Sequence, residues 1–369
     1  MSDNDSTNRE DRGAPRILIA ASGSGGHLFP ALHIARAMKA EAPGARIEFV
    51  GSGRPLEEKL IVQNGFPRHI VKITGIKQRG IKGVIDFIGA VPRALGELQT
   101  IFRVLKPDVV IGVGGYVSVL PVVLARLKGI PTWIHEAEIK PGLANRFLSF
   151  FSDRISTAFK SAEIRPKRKV VYTGHPVRGG LAEIKRGAPR ERISRVLILG
   201  GSQGAKGVDV AMQQLAPFVK ERELEVWHQC RADNVETVKA GYRAHGVNAR
   251  VDSFIDDMLG ALSWSDLVIS RSGASAIMEL GVVNLPTIFV PYPFAQGNHQ
   301  LANARVLADA GKALIVEEGE GFPERLKDAL EKLLAPETYQ KLLATPFESR
   351  SADAATTIAR GALQLRSAV

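Results

Sequence analysis

Two glycine-rich stretches in this chain have the composition of phosphate-binding loops. The first, residues 23–27, reads GSGGH, and the second, residues 200–205, reads GGSQGA. Each follows a short apolar run and precedes apolar residues at helical spacing. Between a strand and a helix, glycine lets backbone N–H groups approach an anion, and the helix dipole favours negative charge there. One such loop is weak evidence because tight turns need glycine for steric reasons. The pair indicates a diphosphate-bearing ligand or two anionic substrates.

A third candidate loop follows the apolar run that ends at Ser270. Ser272, Gly273 and Ala274 are placed to present N–H groups at the start of a helix. Glu279, in the first turns of that helix, is placed to accept hydrogen bonds from ribose hydroxyls. The alternative is an ordinary helix start with a glutamate in the helix interior. A polar cluster over residues 291–300, PYPFAQGNHQ, offers further donors and acceptors suited to sugar hydroxyls.

These loops do not match the common nucleotide fingerprints. Leu28 occupies the third glycine position of a G-x-G-x-x-G dinucleotide motif, and His27 would crowd the path of a pyrophosphate. No glycine loop ends in Gly-Lys-Ser or Gly-Lys-Thr, so a P-loop is absent from the sequence. We therefore expect neither of these two modes of nucleotide binding.

The elements that must position the loops alternate between strands and helices. Strands are predicted over residues 16–21, 47–50, 109–113, 132–135, 154–157 and 170–173, and the pattern restarts over 195–199, 224–227, 267–270, 287–290 and 313–316. Such alternation indicates parallel sheets with helices on both faces, an α/β fold in two similar halves. We expect a polar tail over residues 1–15, one domain over 16–176, a second over 177–350, and a C-terminal helix within 351–369 that could pack on either half.

Composition excludes several classes of protein. The chain has 49 basic and 38 acidic residues, a net charge of +11, and 45% hydrophobic residues, which suits an ordinary globular protein. Cys230 is the single cysteine, so no internal disulfide forms. No run approaches the roughly 18 apolar residues of a membrane span, and the first fourteen residues are polar. The positive charge suits nucleic acid, an anionic membrane or anionic small substrates, and composition does not choose among them.

One segment departs from the alternation of strands and helices. Residues 76–93 place apolar residues on one helical stripe, and residues 68–93 contain six Lys or Arg and one acid, Asp86. A basic amphipathic helix can lie in a bilayer interface with its cations on anionic headgroups. The alternative is a core helix with a solvated basic face. The residues predicted to contact a membrane are Ile76, Lys77, Arg79, Ile81, Lys82, Ile85, Phe87 and Ile88.

Six motifs taken together resemble the MurG family in type and order. They are GSGGH at 23–27, GHPVR at 174–178, GGSQGA at 200–205, FIDDM at 254–258, RSGA at 271–274 with Glu279, and His299-Gln300 with Asn303. The similarity extends from about Arg16 to the C-terminal region. Members of this family are UDP-N-acetylglucosamine:N-acetylmuramyl-(pentapeptide) pyrophosphoryl-undecaprenol N-acetylglucosamine transferases of peptidoglycan synthesis.

The resemblance implies a GT-B fold, in which two Rossmann-like domains with parallel sheets face a central cleft. The donor nucleotide lies mainly on the C-terminal domain of such enzymes, and the lipid acceptor mainly on the N-terminal one. By motif position, Ile255 meets the uracil through its backbone, Glu279 holds the ribose, and Arg178 matches the arginine of the family. The other substrate-binding residues implied are Ser24, Gly25, Gly26, Glu138, Gly201, Ser202, Gln203, Ser272, Gly273, Ala274, Ser275, Ala276, Ile277, Met278, His299 and Gln300.

The implied reaction is an inverting displacement. The 4-hydroxyl of the acceptor's muramyl sugar attacks the anomeric carbon of N-acetylglucosamine, and UDP departs. The reaction needs a base near the attacking hydroxyl and positive potential near the leaving diphosphate. His27 is the candidate base, since imidazole titrates in the right range; donation to the acceptor pyrophosphate is its alternative role. No cofactor or metal is expected, because the one Asp-x-Asp, Asp3-Asn4-Asp5, lies in the polar tail.

Two positions depart from the family pattern. Glu138 stands where the family commonly carries an asparagine that contacts the donor sugar, and His299 where it often has glutamine. A carboxylate near a diphosphate is repelled unless it is protonated or paired, so we expect Glu138 to pair with Lys140 or to serve the sugar hydroxyls.

The expected partners are UDP-N-acetylglucosamine, an undecaprenyl-linked lipid acceptor, an anionic membrane surface and proteins of cell-wall synthesis, without nucleic acid. The expected location is the cytoplasmic face of a bacterial inner membrane, as a peripheral protein. A UDP-N-acetylglucosamine 2-epimerase is the second hypothesis, but it offers no account of the basic amphipathic segment. The third is a scaffold without catalysis that binds lipid or nucleotide.

Overall fold

A computed structural model describes residues 13–23, 25–73, 80–184, 193–201, 204–345 and 347–367, with the backbone alone for residues 80–88 and Gln296. The chain divides into two compact units. The first contains the chain up to Arg178 and again from Arg350, and the second runs over Gly179–Ser349. The division therefore falls two residues after the boundary expected at residue 176.

The first unit is built on seven parallel strands in the order β3-β2-β1-β4-β5-β6-β7. Its strands are β1 Arg16–Ala20, β2 Arg46–Gly51, β3 Arg68–Ile70, β4 Val109–Gly112, β5 Thr132–Glu136, β6 Arg154–Thr157 and β7 Val170–Tyr172. Its helices before the second unit are α1 Gly25–Glu41, α2 Pro55–Leu60, α3 Gly80–Leu105, α4 Val119–Leu127 and α5 Leu143–Phe151.

Alternation along β1 divides the core of this unit between the two faces of its sheet. Ile17 and Ile19 belong to one buried cluster, while Leu18 and Ala20 belong to another. The first cluster includes residues of α1, and the second includes residues of α3, α4 and α5. This is the two-residue period of a strand that is covered on both faces.

The second unit has six parallel strands in the order β10-β9-β8-β11-β12-β13. They are β8 Arg195–Leu199, β9 Glu225–Gln229, β10 Arg250–Asp252, β11 Leu267–Ser270, β12 Thr287–Phe289 and β13 Ala313–Ile315. The helices are α6 Lys206–Gln214, α7 Ala216–Glu221, α8 Val235–Ala244, α9 Met258–Trp264, α10 Ala274–Val283, α11 His299–Asp309, α12 Phe322–Leu334 and α13 Pro336–Ala344.

The chain ends in α14, Ala354–Ser367, which returns to the first unit. Ile358, Ala359 and Ala362 of this helix are fully buried in the cluster that also contains α1. An ion pair between Arg360 Nε and Glu41 Oε2, 2.8 Å apart, joins α14 to the end of α1. The packing side that periodicity left open is therefore that of α1.

Two strands, β3 and β10, were not predicted from the sequence pattern. Both are three residues long and lie at the edge of their sheet. Their sequences, Arg-His-Ile and Arg-Val-Asp, lack the apolar run that marks the central strands. The basic amphipathic segment overlaps α3, which begins at Gly80, while residues 74–79 lie outside the described part of the chain. Among the described residues, no helix is both long and apolar enough to cross a bilayer.

Where the first unit ends, its chain packs against the segment that returns. A Cβ on Gly174, whose φ is +79°, would lie 2.5 Å from the backbone N of Ser351. The Ser351 hydroxyl also accepts a hydrogen bond from the N–H of His175 at 3.1 Å. Glycine is thus required at residue 174 for space as well as for its backbone conformation.

This packing predicts a large loss of stability in Gly174→Ala. Gly129→Ala is the matched control, because Gly129 also has positive φ (+70°) but a Cβ there would meet nothing within 4 Å. The control should lose about 1 kcal/mol for its backbone conformation. Gly174→Ala should lose a further ~1–3 kcal/mol for the overlap with backbone. Urea unfolding of both variants measures the difference, and equal losses would contradict this packing argument.

Candidate functional site

In each unit the candidate loops lie where the strand order reverses. In the first unit the reversal is between β1 and β4, and in the second it is between β8 and β11. Parallel strands bring all their carboxyl ends to one edge, and ligands of open α/β sheets bind at that edge beside the reversal. The loops after β1 and β8 were predicted from glycine content alone, and the topology places each at this position in its own unit.

The loop after β1 leads directly into the first turn of α1. Gly25 and Gly26 are the first two residues of that helix, and no acidic residue lies in its first turn. Gly25 is buried and Gly26 is exposed, while Ser24 lies outside the described residues. The first N–H groups of a helix have no partner within it, and the dipole makes this end attractive to an anion. The arrangement suits a phosphate near Gly26.

His27 is held between the end of β1 and the loop after β4. Its Nδ1 lies 3.2 Å from the carbonyl oxygen of Ser22. With the proton on Nδ1, that nitrogen donates to the carbonyl and Nε2 carries the lone pair. The other contact is with Gly114, where a Cβ would come 2.8 Å from Cδ2 and 2.9 Å from Nε2 of the imidazole. The ring is therefore fixed by backbone on two sides.

The loop after β4 was not among the predicted site residues. Gly114 and Gly115 both have positive φ, +87° and +77°. The buried hydroxyl of Ser118 lies 2.7 Å from the carbonyl oxygen of Gly114 and 2.9 Å from that of Ala20, and so ties this loop to the end of β1. The sequence signal that could have revealed it is the pair of glycines directly after a predicted strand.

At the end of β5, a buried carboxyl group organises the loop that carries Glu138. Glu136 accepts a hydrogen bond from the N–H of Glu138 at 2.9 Å and another from Nδ2 of Asn145 at 3.0 Å. Asn145, on α5, also donates to the carbonyl oxygen of His135 at 2.9 Å. Burial raises the pKa of Glu136 to about 7, against the lowering effect of these hydrogen bonds. Glu136 and Asn145 are thus positioning residues that the sequence analysis did not identify.

A cluster of buried histidines lies in the same unit. Nε2 of His135 is 3.1 Å from Nδ1 of His175, and Nδ1 of His135 is 3.0 Å from the hydroxyl of Ser156. Burial lowers the pKa of His135 to about 3 and holds the pKa of His175 well below its ordinary value. Burial also lowers the pKa of His33, on α1, to about 3, with smaller contributions from the positive charges of Arg178 and Arg36. The cluster is neutral near pH 7, and Arg178 lies close to it.

In the second unit, the start of α10 combines two features of an anion site. Gly273 precedes the helix without any side-chain cap, and the first turn, which begins Ala274-Ser275-Ala276, contains no acid. Ser272 is fully buried, and its hydroxyl oxygen has no hydrogen-bond partner among the described residues. Buried hydroxyls are normally satisfied, so this one is an unexplained polar group beside the first amides of the helix.

The remaining predicted residues on this helix divide between surface and core. Glu279 is half-buried. The side chains of Ile277 and Met278 are 0% and 1% exposed, and the N–H of Ile277 already donates to the carbonyl of Gly273. Both side chains therefore pack in the core, and their predicted contact with the substrate stays a prediction.

The polar cluster after β12 is fixed by its neighbours. Gln300 accepts a hydrogen bond from the N–H of Tyr292 at 2.9 Å, and both His299 and Gln300 are half-buried in the first turn of α11. Arg271 donates to the carbonyl oxygens of Val290 and Pro291 at 3.1 and 3.3 Å. The loops after β11 and β12 are therefore held together at one edge of the sheet.

The remaining predicted residues belong to the loop after β8, to the segment before α9 and to the predicted membrane segment. Gly201 is exposed after β8, with a φ of +74°, while Ser202 and Gln203 lie outside the described residues. Ile255 is buried between β10 and α9, and the Asp257 carboxylate caps α9 by accepting a hydrogen bond from the N–H of Gly260 at 2.8 Å. For the membrane segment, Ile76, Lys77 and Arg79 lie outside the described residues, and only the backbone of Ile81, Lys82, Ile85, Phe87 and Ile88 is described, as part of α3.

Two further observations concern other chemistry. Within the described ranges, no group of three or more His, Cys, Asp or Glu side chains is arranged to hold a metal ion. Cys230 is buried directly after β9, and burial raises the pKa of its thiol to about 11. A thiol of that pKa is protonated near pH 7 and is therefore a poor nucleophile.

The burial of His33 predicts that the folded protein loses stability at acid pH, and replacing this histidine should reduce that loss. His33 must stay neutral in the folded unit, because Nε2 of its ring is buried and has no hydrogen-bond partner among the residues that the structure describes. The pKa of His33 is about 3 in the folded unit and 6.5 in the unfolded chain. Below pH 6.5 the unfolded chain binds a proton at this histidine and the folded unit does not, so the free energy of unfolding decreases as the pH falls from 6.5 toward 3.

Relative to wild type, His33→Leu should therefore gain up to about 1.4 kcal/mol of stability for each pH unit below 6.5. Urea unfolding at pH 6.5, 5.5 and 4.5 measures this gain. The matched control is His245→Leu, at an exposed histidine after α8, which should show no such trend. A gain for His33→Leu that does not change with pH would contradict the argument.

Comparison with known proteins covers both units. Residues 17–157 match the glycosyltransferase family 28 N-terminal domain, and residues 195–358 match the glycosyltransferase family 28 C-terminal domain. Proteins named UDP-N-acetylglucosamine–N-acetylmuramyl-(pentapeptide) pyrophosphoryl-undecaprenol N-acetylglucosamine transferase are among the similar sequences. The one from Nitratidesulfovibrio vulgaris is 38% identical over 84% of each chain. The one from Acidithiobacillus ferrooxidans is 35% identical over 95% of this chain and 98% of its own.

Solved structures give the same result. The MurG structure from Acinetobacter baumannii has a TM-score of 0.75 and 28% identity over 95% of this chain and 99% of its own, which confirms the predicted GT-B fold class. A UDP-GlcNAc 2-epimerase from Neisseria meningitidis has a TM-score of 0.64 at 14% identity over 94% of this chain and 100% of its own. At that identity the likeness to the epimerase concerns the fold alone. With both family domains matched over most of its length, the chain belongs to glycosyltransferase family 28.

Proposed function

We propose that this protein transfers N-acetylglucosamine from UDP-N-acetylglucosamine to the 4-hydroxyl of the muramyl sugar of undecaprenyl-pyrophosphoryl-MurNAc-pentapeptide, in peptidoglycan synthesis. The observation that carries the proposal is the start of α10, where the buried hydroxyl of Ser272 has no partner within the described part of the chain. It is supported by relatives of that name at 35% and 38% identity over most of the chain. An epimerase would share the fold, but its solved example is only 14% identical.

The donor is proposed to bind along the carboxyl edge of the second sheet. The N-terminal amides of α10 and the hydroxyl of Ser272 suit the diphosphate or the sugar next to it, since this helix end carries partial positive charge. Glu279 has the acceptor oxygens that ribose hydroxyls require. The backbone beside Ile255 is the proposed uracil contact, and His299 and Gln300 are proposed to contact sugar hydroxyls. Gly201, Ser202 and Gln203 complete the phosphate contacts.

The acceptor is proposed to bind at the start of α1, with His27 as the catalytic base. The muramyl hydroxyl attacks the anomeric carbon as its proton passes to Nε2 of His27, and the bond from that carbon to the UDP oxygen breaks. The hydrogen-bonding geometry of Nδ1 to the Ser22 carbonyl, 3.2 Å, favours the tautomer that leaves the lone pair on Nε2. Arg178 and the amides near Gly26 supply positive potential for diphosphate groups.

We further propose that no metal ion takes part. In this mechanism, helix N-termini and Arg178 carry the electrostatic stabilisation of the departing UDP. Glu138 is proposed to face sugar hydroxyls or Lys140 and to avoid the diphosphate. Its backbone position is set by Glu136, which accepts its N–H at 2.9 Å.

The protein is proposed to act as a peripheral protein at the cytoplasmic face of a bacterial inner membrane, where its lipid acceptor is anchored. Support comes from the six Lys or Arg within residues 68–93 and from the apolar stripe of the same segment. Proteins of cell-wall synthesis are the proposed partners at that surface, with consequences for cell shape and division.

Transfer of labelled N-acetylglucosamine to a short-chain lipid acceptor tests the function and the metal proposal together. We expect product that depends on the acceptor, no free epimer of UDP-N-acetylglucosamine without it, and a rate within about twofold with or without EDTA. Calorimetry with UDP should show binding in both conditions. Product that disappears with EDTA and returns with Mg²⁺ or Mn²⁺ would overturn the metal proposal, while formation of free epimer would favour the second hypothesis.

The position of His27 predicts unequal effects at two adjacent glycines. Gly114→Ala should push the imidazole away, because the new Cβ would lie 2.8 Å from Cδ2 of His27. In Gly115→Ala the nearest imidazole atom, Nδ1, is 3.6 Å from the new Cβ, so this control shares the cost of positive φ without that overlap. Displacement of a catalytic group by about 1 Å can cost ~100-fold in rate.

We therefore expect kcat for Gly114→Ala to fall at least about tenfold below that of Gly115→Ala, with a similar KM for the donor. His27→Gln should be slower still and should lose the acid limb of the pH–rate profile. An unchanged acid limb in His27→Gln would remove His27 from the role of base and leave it the role of donor to the pyrophosphate.

A further inference from the structure

Helix α5 of the first unit carries an apolar ridge on its outer side. Leu143, Phe147 and Phe150 are 68%, 49% and 73% exposed. Their spacing of four and three residues places them on one face of the helix. The opposite face contains Asn145, Leu148 and Ser149, which are buried. The ridge is therefore additional to the face that packs on the sheet.

Single exposed apolar residues are ordinary, but a continuous row on one helix face indicates an interaction surface. The ring of Phe147 is 4.9 Å from that of Phe151, so the row is continued by a fourth, half-buried aromatic residue. Leu127, at the end of the neighbouring helix α4, is 76% exposed. Two adjacent helices of this unit thus present large apolar side chains to solvent.

Basic residues surround the ridge. Residues 139–169 contain eight Lys or Arg and two acids, Asp153 and Glu163. The ammonium group of Lys169 donates to the carbonyl oxygens of Ser149 and Phe150 at 3.1 and 3.0 Å, which places a cation at the end of the ridge. Arg146 is exposed on α5 itself, and Arg154 is exposed just beyond it.

Asp153, the acid nearest in sequence to this ridge, offsets only part of the positive charge, because its carboxylate also has partners away from the ridge. The carboxylate of Asp153 accepts hydrogen bonds from the N–H and the hydroxyl of Thr132, both at 2.9 Å. It also lies 3.6 Å from the guanidinium of Arg126. The outer side of α5 thus combines aromatic and leucine side chains with a strong excess of cations.

This combination matches an anionic lipid bilayer. Aromatic and leucine side chains partition into the boundary between headgroups and acyl chains, while Lys and Arg remain at the anionic headgroups. We propose that α5 inserts its ridge, Leu143, Phe147 and Phe150, into an anionic membrane surface. This contact is additional to the membrane contact proposed for residues 76–88. The proposal rests on the proposed function, since it assumes an acceptor anchored in that membrane.

The location of α5 fits such a contact. The helix begins directly after the loop that Glu136 and Asn145 fix, at the carboxyl edge of the first sheet. Insertion of α5 would therefore bring the candidate acceptor side of this unit to the headgroup level, where a lipid-linked diphosphate lies.

Fluorescence provides the most direct test. Phe150→Trp is a conservative probe on the ridge, and Val210→Trp, at a 44% exposed residue of α6 in the second unit, is its matched control. Both are compared with wild type, which has three tryptophans. The probe vesicles contain phosphatidylglycerol and phosphatidylethanolamine with brominated acyl chains. The emission of the tryptophan introduced on the ridge should shift to the blue and be quenched, while that of the tryptophan introduced on α6 should not change.

Vesicle sedimentation supplies the second measurement. Phe147→Gln/Phe150→Gln should weaken binding to anionic vesicles about tenfold or more. It should leave transfer to a soluble short-chain acceptor within about twofold of wild type. Arg146→Glu should weaken vesicle binding in the same direction, whereas Arg243→Glu, at an exposed arginine of α8 in the second unit, should not. Lys77→Glu/Arg79→Glu/Lys82→Glu tests the basic segment separately.

The possible failures can be told apart. If wild type does not bind anionic vesicles, both the α5 proposal and the membrane part of the proposed function are overturned. If wild type binds, but the ridge probe is not quenched and Phe147→Gln/Phe150→Gln binds equally well, α5 is not inserted and membrane association belongs to residues 76–88 alone. Failure of transfer to the soluble acceptor by wild type would overturn the proposed function without reference to α5.

Discussion

Parallel pairing of β1 with β4 is the constraint on which the first half of the site depends. The register pairs Ala20 with Gly112, so both strands end at the same level. The loop of His27 and the loop of Gly114 must then meet, and the hydroxyl of Ser118 fixes their separation through the carbonyl oxygens of Ala20 and Gly114. A shift of this register would move Gly114 away from the imidazole that it now contacts. The chemistry proposed for His27 is thus a consequence of strand pairing.

Several buried polar groups of the first unit form hydrogen bonds near the end of β5. His135 and His175 are buried and neutral, and each ring has a polar partner at 3.0 to 3.1 Å. An unsatisfied buried polar group costs about 1–3 kcal/mol, so the network is stable only while its members remain paired. Glu136 is the acidic counterpart, with a pKa of about 7 that burial causes. These groups fix the backbone at the end of β5, from which the loop of Glu138 begins.

The sequence was sufficient to predict the features that depend on local pattern. The glycine loops, the central strands and the family resemblance were all readable because apolar runs and glycine spacing are local properties. The edge strands β3 and β10 were not, since their three residues are stabilised by a neighbouring strand and lack an apolar run of their own. Gly114 was also missed, because its role depends on a contact with His27, far away in the chain. Asn145 was missed although Glu136 is only nine residues away, because its hydrogen bond depends on how the loop between them folds. The burial of Ile277 and Met278 was likewise not predicted, because a motif match does not distinguish the two faces of a helix.

The uncapped start of α10 is best understood together with the orphan hydroxyl beside it. Gly273 supplies no capping side chain, which costs only about 0.3 kcal/mol relative to a serine or aspartate cap but leaves the first helix amides without a side-chain partner. The buried Ser272 hydroxyl adds a second cost. Other helices of this chain, such as α5, α6 and α8, also begin without a side-chain cap, so the orphan hydroxyl is what distinguishes the start of α10. A ligand that accepts hydrogen bonds from the helix amides and pairs with the Ser272 hydroxyl satisfies both groups. The free energy of these hydrogen bonds then contributes to ligand binding.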